Sequence, residues 1–475
     1  MADLDLCYMP ATEAIARFAD KTLSPVELME ATIARAEAVE PGVNALTFTH
    51  FDAAMSQAKV AEARYGAGAP IGPLDGLPVG IKDESTIAGQ QTSGGSLIYK
   101  DTVHDVTAPV NQRVMDAGGI VHARTATPEF SCAGYCWSRL WGVTRNPWNL
   151  DKTPGGSSGG AAASLASGTS SVATGSDIAG SIRIPASASG LVGFKPPYGR
   201  NPEERVFNMD FYCHTGPLAR TVRDVILLQN VMAGPHPRDI STLKPKLTLP
   251  DSYESAKGLK LAFSMDLGMY PVDAEVRKNT LAAVEILRDQ GAEITEVDLG
   301  WEPRMAAAGL TYLQHLFGGY IGRLLPDHAD EMTTYARDFA EKAQLTTAAQ
   351  FIDTLDVAGE MYETFGPLME DYDALLCPTL ALPAVPADFD QSKDKLVIEG
   401  QEVEPFIGWL MTSPFNMLSR CPVLTVPSGH AANGVPTGLQ IVGRSYCDAD
   451  VMRVGMAFES AVGGWYTDAA KRPPV

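Results

Sequence analysis

Two serines and a lysine carry the chemistry that stands out in this sequence, and both serines lie in one unusual stretch. From Thr153 to Pro185 the chain reads TPGGSSGGAAASLASGTSSVATGSDIAGSIRIP. Gly155, Gly156, Gly159 and Gly160 bracket Ser157 and Ser158, and a second glycine cluster, Gly175 to Gly180, delivers Ser181. Glycine reaches backbone conformations with φ > 0 and lets another backbone or a ligand approach closely. Between the clusters, Ala161 to Ala166 reads as a small-residue helix, which separates the stretch from a flexible Gly/Ser linker. Two clusters that each place a serine read as two walls of one site. A serine hydroxyl is a weak nucleophile until a base takes its proton. Lys82 offers that base, because it directly follows the apolar run Leu77 to Ile81 in GPLDGLPVGIKDE. A buried lysine acts as a base when desolvation favours its neutral form. On position alone, a lysine at a strand end is more often a solvated surface residue.

Other readings of these motifs fail on missing residues. PGGSSGG lacks the lysine of GxxxxGK[ST], and no GxGxxG pattern accompanies it, which argues against nucleotide binding. His214 invites a Ser-His-Asp reading, but no GxSxG elbow is present. Cys132 and Cys136 could share a helical face, yet no neighbouring His or second cysteine pair completes a zinc site. Neither a metal nor a cofactor is expected.

GGSSGG, followed by DIAGSIRIP with Ser181 placed 24 positions after Ser157, is similar to the signature of the amidase signature family of serine hydrolases. GLPVGIKDE resembles that family's lysine segment, and CPVLTVPSG from Cys421 and GVPTGLQIVGR ending at Arg444 resemble its C-terminal segments. The resemblance implies a nucleophilic Ser181, a Ser157 that relays the proton from within a cis peptide bond, and a neutral Lys82 as ultimate base. The backbone N–H groups of Ile178, Ala179, Gly180 and Ser181 are the expected oxyanion donors. Ser158, Ser176, Asp177 and Arg183 are expected in support. Ala179 stands where the family usually has glycine. The family works without histidine, so His214 is expected to be structural or at the pocket edge. In TPEFSCAGYCWSRLW, from Thr127 to Trp141, the substrate-binding candidates are Glu129, Phe130, Cys132, Tyr135 and Trp137.

The function implied is a serine amidohydrolase that cleaves a carboxamide, or an anilide- or carbamate-like C–N bond, through an acyl-enzyme. Abundant aromatic and methionine residues lean the reading towards a small apolar or aromatic substrate, with esterase or urethanase side activity sharing the electrophilic carbonyl. One alternative is the glutamine-hydrolysing subunit of a tRNA amidotransferase, which needs a partner protein to use the ammonia. Another is a non-catalytic binding or scaffold protein, which loss of Lys82 or either serine would have favoured.

The rest of the chain must position these groups. A net charge of -20 disfavours nucleic acid or an anionic membrane as partner. Seven cysteines, an odd count at low density, with no secretory h-region ahead of them, suit free thiols in a reducing, cytoplasmic compartment. No run approaches the ~18 apolar residues of a membrane span. The first helices cover residues 3 to 41, the longer one capped by Ser24 with Pro25 and Glu27 behind it and stopped by Pro41-Gly42. A βαβ rhythm follows around Lys82 and Ile120, and another after Leu259, where a helix from Asp273 to Gln290 turns Val276, Leu281, Val284 and Leu287 inward. Late strands fall at Asp373 to Pro378, Cys421 to Pro427 and Gly438 to Arg444. The fold class expected is α/β: a mixed, largely parallel-core sheet with helices on both sides, in one amidase domain over 1–475. Within it, a variable helical region at about 301–370, with Met305, Tyr312, Phe317, Tyr320, Met332 and Tyr335, shapes the substrate channel or packs on itself, and 387–402 reads as a surface excursion. The oligomeric state stays open, although homodimers are common among such enzymes.

Overall fold

The computed structural model describes residues 3–475. Ser24 caps the helix Pro25–Val43 by accepting from the Val26 N–H at 3.0 Å, and Glu27 reaches back to the Ser24 N–H at 2.8 Å. The helix does not stop at Pro41-Gly42. It ends at Asn44, in the left-handed region at φ 55°, whose N–H still reaches the Glu40 carbonyl at 2.9 Å. The Asn44 amide donates to the carbonyls of Trp141 and Val143, so a tertiary anchor carries the helix past the proline.

Eleven strands form one mixed sheet. In chain order they are β1 (Leu46–Thr49), β2 (Pro78–Lys82), β3 (Ile120–Thr125), β4 (Val172–Asp177), β5 (Val192–Lys195), β6 (His214–Ala219), β7 (Lys260–Phe263), β8 (Glu293–Glu296), β9 (Ala374–Pro378), β10 (Val423–His430) and β11 (Pro436–Gly443). Their spatial order is β1-β3-β2-β4-β6-β5-β10-β11-β9-β7-β8. Parallel pairing sits in two blocks, β3-β2-β4 and β9-β7-β8, and antiparallel pairs join them through the middle. Parallel neighbours need a crossover, supplied here by the helices Pro109–Asp116, Gly159–Ser167 and Ala274–Asp289.

Helices cover both faces. Successive residues of a strand point to opposite sides. On β10, Leu424 packs so closely on Gly455 of the terminal helix Asp448–Val462 that a Cβ there would lie 2.3 Å from it. The next residue, Thr425, pairs with Gly193 of β5, which faces Ile182 and Ala186 in and before the helix Arg183–Ser189.

Two expectations about burial need correction. Leu281 is 47 % exposed, because the inward stripe of Ala274–Asp289 runs through Val276, Thr280, Ala283, Val284 and Leu287. Segment 387–402 is more than an excursion: Leu396–Ile398 pairs with Gln401–Val403, and Phe389, Leu396 and Ile398 are buried. Among the described residues all seven cysteines are free, and no helix is long and apolar enough to cross a membrane.

Candidate active site

Strand β2 delivers Lys82 into the molecule with 1 % of its surface exposed. Parallel pairing of β2 with β4 sets Ser176 beside it, and the turn before helix Gly159–Ser167 supplies Ser157. The Lys82 Nζ donates to Ser157 Oγ at 2.7 Å and to Ser176 Oγ at 2.9 Å, and the Glu84 Oε1 lies 3.1 Å away. Each of the three N–H bonds of an ammonium thus has an oxygen partner. The Gly156–Ser157 peptide is cis. A Cβ at Gly156 would stand 2.2 Å from the Tyr135 carbonyl oxygen, so that approach of two backbones requires glycine.

Ser181 sits on the facing loop. The Ser158 N–H donates to the Ser181 carbonyl at 3.2 Å, and the Ser158 hydroxyl accepts from the Ser176 N–H at 3.3 Å, tying both walls together. Ser181 is 5 % exposed, and among the described residues its hydroxyl has no hydrogen-bond partner. The loop offers three of the four expected backbone donors. The Gly180 N–H is engaged, donating to Asp177 Oδ1 at 2.9 Å, whereas those of Ile178, Ala179 and Ser181 meet no acceptor among the described residues. The positive φ falls on Gly180, at 126°, and not on Ala179. A methyl group at 179 therefore meets no backbone penalty. Gly180 has no such latitude, since its Cβ would lie 2.0 Å from Thr412 Oγ1.

Beneath the loop lies a buried ion pair. Arg183 grips Asp177 with two hydrogen bonds, at 2.9 and 2.8 Å, and both residues are fully buried. Burial alone would raise the Asp177 carboxyl, but the guanidinium beside it more than reverses this and holds it well below the usual carboxylate range. Arg183 also donates to the Thr412 carbonyl, Gln440 Oε1 and Asn416 Oδ1, and Thr412 Oγ1 donates to the Ala179 carbonyl at 2.6 Å. A chain of buried polar groups thus fixes the loop from below. His214 belongs to the same underside: its ring nitrogens lie 3.1 Å from the carbonyls of Asp177 and Ser419, and burial pushes it down to about 3.

A cavity of about 530 Å³ opens above Ser157 and Ser176. Phe130, Phe207, Phe317, Tyr320, Ile321 and Leu324 give it an apolar wall, and Glu84, Glu203 and Glu204 also line it. Ser181 borders a narrow continuation together with Cys132, Ala179 and Phe406. Burial pushes the Glu203 carboxyl up to about 8, and its oxygens accept from the Thr215 N–H and hydroxyl. Of the substrate-binding candidates, Phe130 and Cys132 border this space and the others do not. Glu129 is buried away from it, accepting from Ser96 Oγ at 2.7 Å and from the Thr333 N–H. Tyr135 and Trp137 instead pack with Tyr335 and Phe389 in an aromatic cluster. Phe317 and Tyr320 do reach the cavity from the helical region, while Met305, Tyr312, Met332 and Tyr335 are buried in packing. Sequence reasoning missed Phe207, the glutamates at 203 and 204, and Ser131. Only Glu84 carried a signal, its place two residues beyond Lys82.

Comparison with known proteins identifies the family. The family model described as Amidase matches residues 27–452. An acylamidase from Rhodococcus erythropolis is 36% identical over 482 residues, covering 100% of this chain and 98% of its own. A glutamyl-tRNA(Gln) amidotransferase subunit from Chloroflexus aggregans is 31% identical, covering 98% of both chains. Among solved structures, a bacterial aryl acylamidase of the amidase signature family superposes with a TM-score of 0.90 at 30% identity, covering 98% of this chain and 99% of that one.

Proposed function

The chain belongs to the amidase signature family and is an amide hydrolase, and from that premise we propose that Ser181 attacks the amide carbonyl while Ser157 and Lys82 carry its proton away. The observation that supports the reading best is the 2.7 Å contact between Lys82 Nζ and Ser157 Oγ, buried beside a loop whose Ser181 hydroxyl is unengaged among the described residues. In the first step the Ser181 proton passes to Ser157 Oγ as the Ser157 proton passes to a neutral Lys82 amine. The Ser181 oxygen bonds to the carbonyl carbon, and the free N–H groups of Ile178, Ala179 and Ser181 receive the oxyanion. Return of the proton from Lys82 through Ser157 to the amide nitrogen releases the amine and leaves an ester on Ser181. Water then repeats the sequence in reverse and frees the carboxylate. Asp177, Arg183, Ser158 and Ser176 hold these groups in place without exchanging protons with the substrate.

The substrate in this reading is a small apolar or aromatic amide or anilide. Its support is the wall of Phe130, Phe207, Phe317, Tyr320, Ile321 and Leu324 around about 530 Å³, a space suited to one aryl group and a short acyl chain. The similarity to an acylamidase and to an aryl acylamidase points the same way. Stopped-flow release of nitroaniline from a panel of p-nitroanilides tests it, with free glutamine alongside. A burst equal to the enzyme concentration, followed by slower turnover, is expected for the aryl substrates. Turnover of glutamine with none of any anilide would favour the amidotransferase-like alternative.

A further inference from the structure

We propose that Glu84 is a charge-balancing positioning residue for Lys82, holding the ammonium that forms when Ser181 is deprotonated. The inference rests on the proton path given above and adds to it a carboxylate that the path does not use. Protonating an amine with 1 % of its surface exposed creates a charge inside the protein, which is unfavourable unless a partner stands ready. Glu84 Oε1 is that partner, 3.1 Å from Nζ. Its neighbour Asp83 is turned away, accepting from the Ser93 N–H and hydroxyl.

The carboxylate is also held from its other side. Glu84 Oε2 accepts from Ser131 Oγ, which lies 2.7 Å from Thr127 Oγ1. Two consecutive residues with left-handed backbone, Phe130 at φ 53° and Ser131 at φ 58°, bring that hydroxyl to the pocket. Such a pair is uncommon without glycine. Both oxygens of Glu84 are therefore engaged, one with the base and one with the wall, although the side chain, 25 % exposed, also lines the cavity. Its part corresponds to that of the aspartate in a Ser-His-Asp triad, which stabilises the cation formed on the base without taking its proton. The proton stays on Lys82 Nζ until Ser157 passes it to the leaving nitrogen.

Other titratable groups face this pair. Glu203, Glu204, Arg205 and His104 line the same cavity, and Cys136 and Cys213 lie near Lys82. Burial pushes Cys136 up to about 11 and Cys213 well up, so both stay thiols. Glu203, at about 8, titrates where the enzyme would be assayed. The test is therefore the pH profile of kcat/KM for a neutral anilide in Glu84→Gln, repeated in a Glu203→Gln background. Removing the carboxylate makes the lysine a weaker base. The alkaline plateau is expected to fall by about tenfold to a hundredfold, and the acid limb to move to lower pH by about one unit or more. Glu84→Asp should show the same two changes, smaller. If Glu84→Gln does not fold, Ser131→Ala, which frees the far oxygen, should move the limb in the same direction. A lowered plateau with an unmoved acid limb would mean that Glu84 only shapes the site, and would overturn the proposal. So would a raised KM confined to cationic substrates. Lys82→Ala that kept the parent rate would instead remove the proton path on which the proposal stands, a result that Glu84→Gln alone cannot produce.

Discussion

The two ends of the cavity are built by different means. At the chemical end, Lys82, Ser157, Ser176 and Ser181 are held by backbone contacts and a buried polar chain through Asp177, Arg183, Asn416 and Thr412. At the other end, the apolar wall of Phe130, Phe207, Phe317, Tyr320, Ile321 and Leu324 comes from three distant segments, with Phe317 reaching also into the narrow space that Ser181 borders. Close approach by the Tyr135 backbone at Gly156 and by the Thr412 side chain at Gly180 leaves no room for an added atom, whereas an apolar wall accepts side chains of similar size. The first end is thereby committed to one reaction, and the second is free to change substrate.

The sharpest way to break this contrast is at the chemical end. Ser181→Ala and Lys82→Ala are each expected to lower kcat by at least about 1,000-fold, with thermal unfolding little changed for Ser181→Ala. Retention of the parent rate by either variant would dissolve the distinction. The polar chain beneath should answer in stability. Arg183→Met leaves a fully buried Asp177 carboxylate without its partner, at a cost of about 3–5 kcal/mol in urea unfolding. The double variant Asp177→Asn with Arg183→Met should recover part of that loss.

How far the sequence reveals each end follows from the same contrast. Glycines forced by close approach leave a dense local motif around Ser157 and Ser181, and the resemblance of GLPVGIKDE to a family segment is what joined Lys82 to them. The capped helix at Ser24 and the parallel blocks around β2 and β7 were legible too, because caps and apolar periodicity are local. The pocket wall was legible only in part, through Phe130, Cys132, Phe317 and Tyr320. Glu129, Tyr135 and Trp137 share the aromatic, polar character of pocket residues, but long-range partners such as Thr333, Tyr335 and Phe389 draw them into packing. Phe207 gave no signal, since only the folded chain sets its segment against Phe317, with ring centroids 5.8 Å apart. Asn44 and Leu281 teach the same lesson on a smaller scale.

The far end yields gentler predictions. Phe317→Ala should reduce kcat/KM for aryl substrates by about tenfold while sparing a short aliphatic amide, which steady-state kinetics on the two would show. Equal losses on both would tie Phe317 to the chemistry and blur the two ends. Glu203 should set part of the pH dependence of stability. Its carboxyl is raised to about 8, so the folded protein holds a proton that the unfolded chain releases near pH 4.5. That stabilisation is complete below pH 4.5 and is lost as pH rises through 8, with a slope of at most about 1.4 kcal/mol per pH unit. Glu203→Gln should flatten the decline measured by thermal unfolding between pH 5 and pH 9. Glu40 and Glu459, each raised to about 7 by burial, should leave a residual slope of the same sign.

The most direct test of the chemical end is intact-protein mass spectrometry after exposure to a fluorophosphonate, with Ser181→Ala and Ser157→Ala beside the parent. One adduct on the parent protein, absent from Ser181→Ala and formed more slowly on Ser157→Ala, is the result expected of a Ser181 nucleophile activated through Ser157. An adduct that persists in Ser181→Ala, or one lost only in Ser157→Ala, would contradict it.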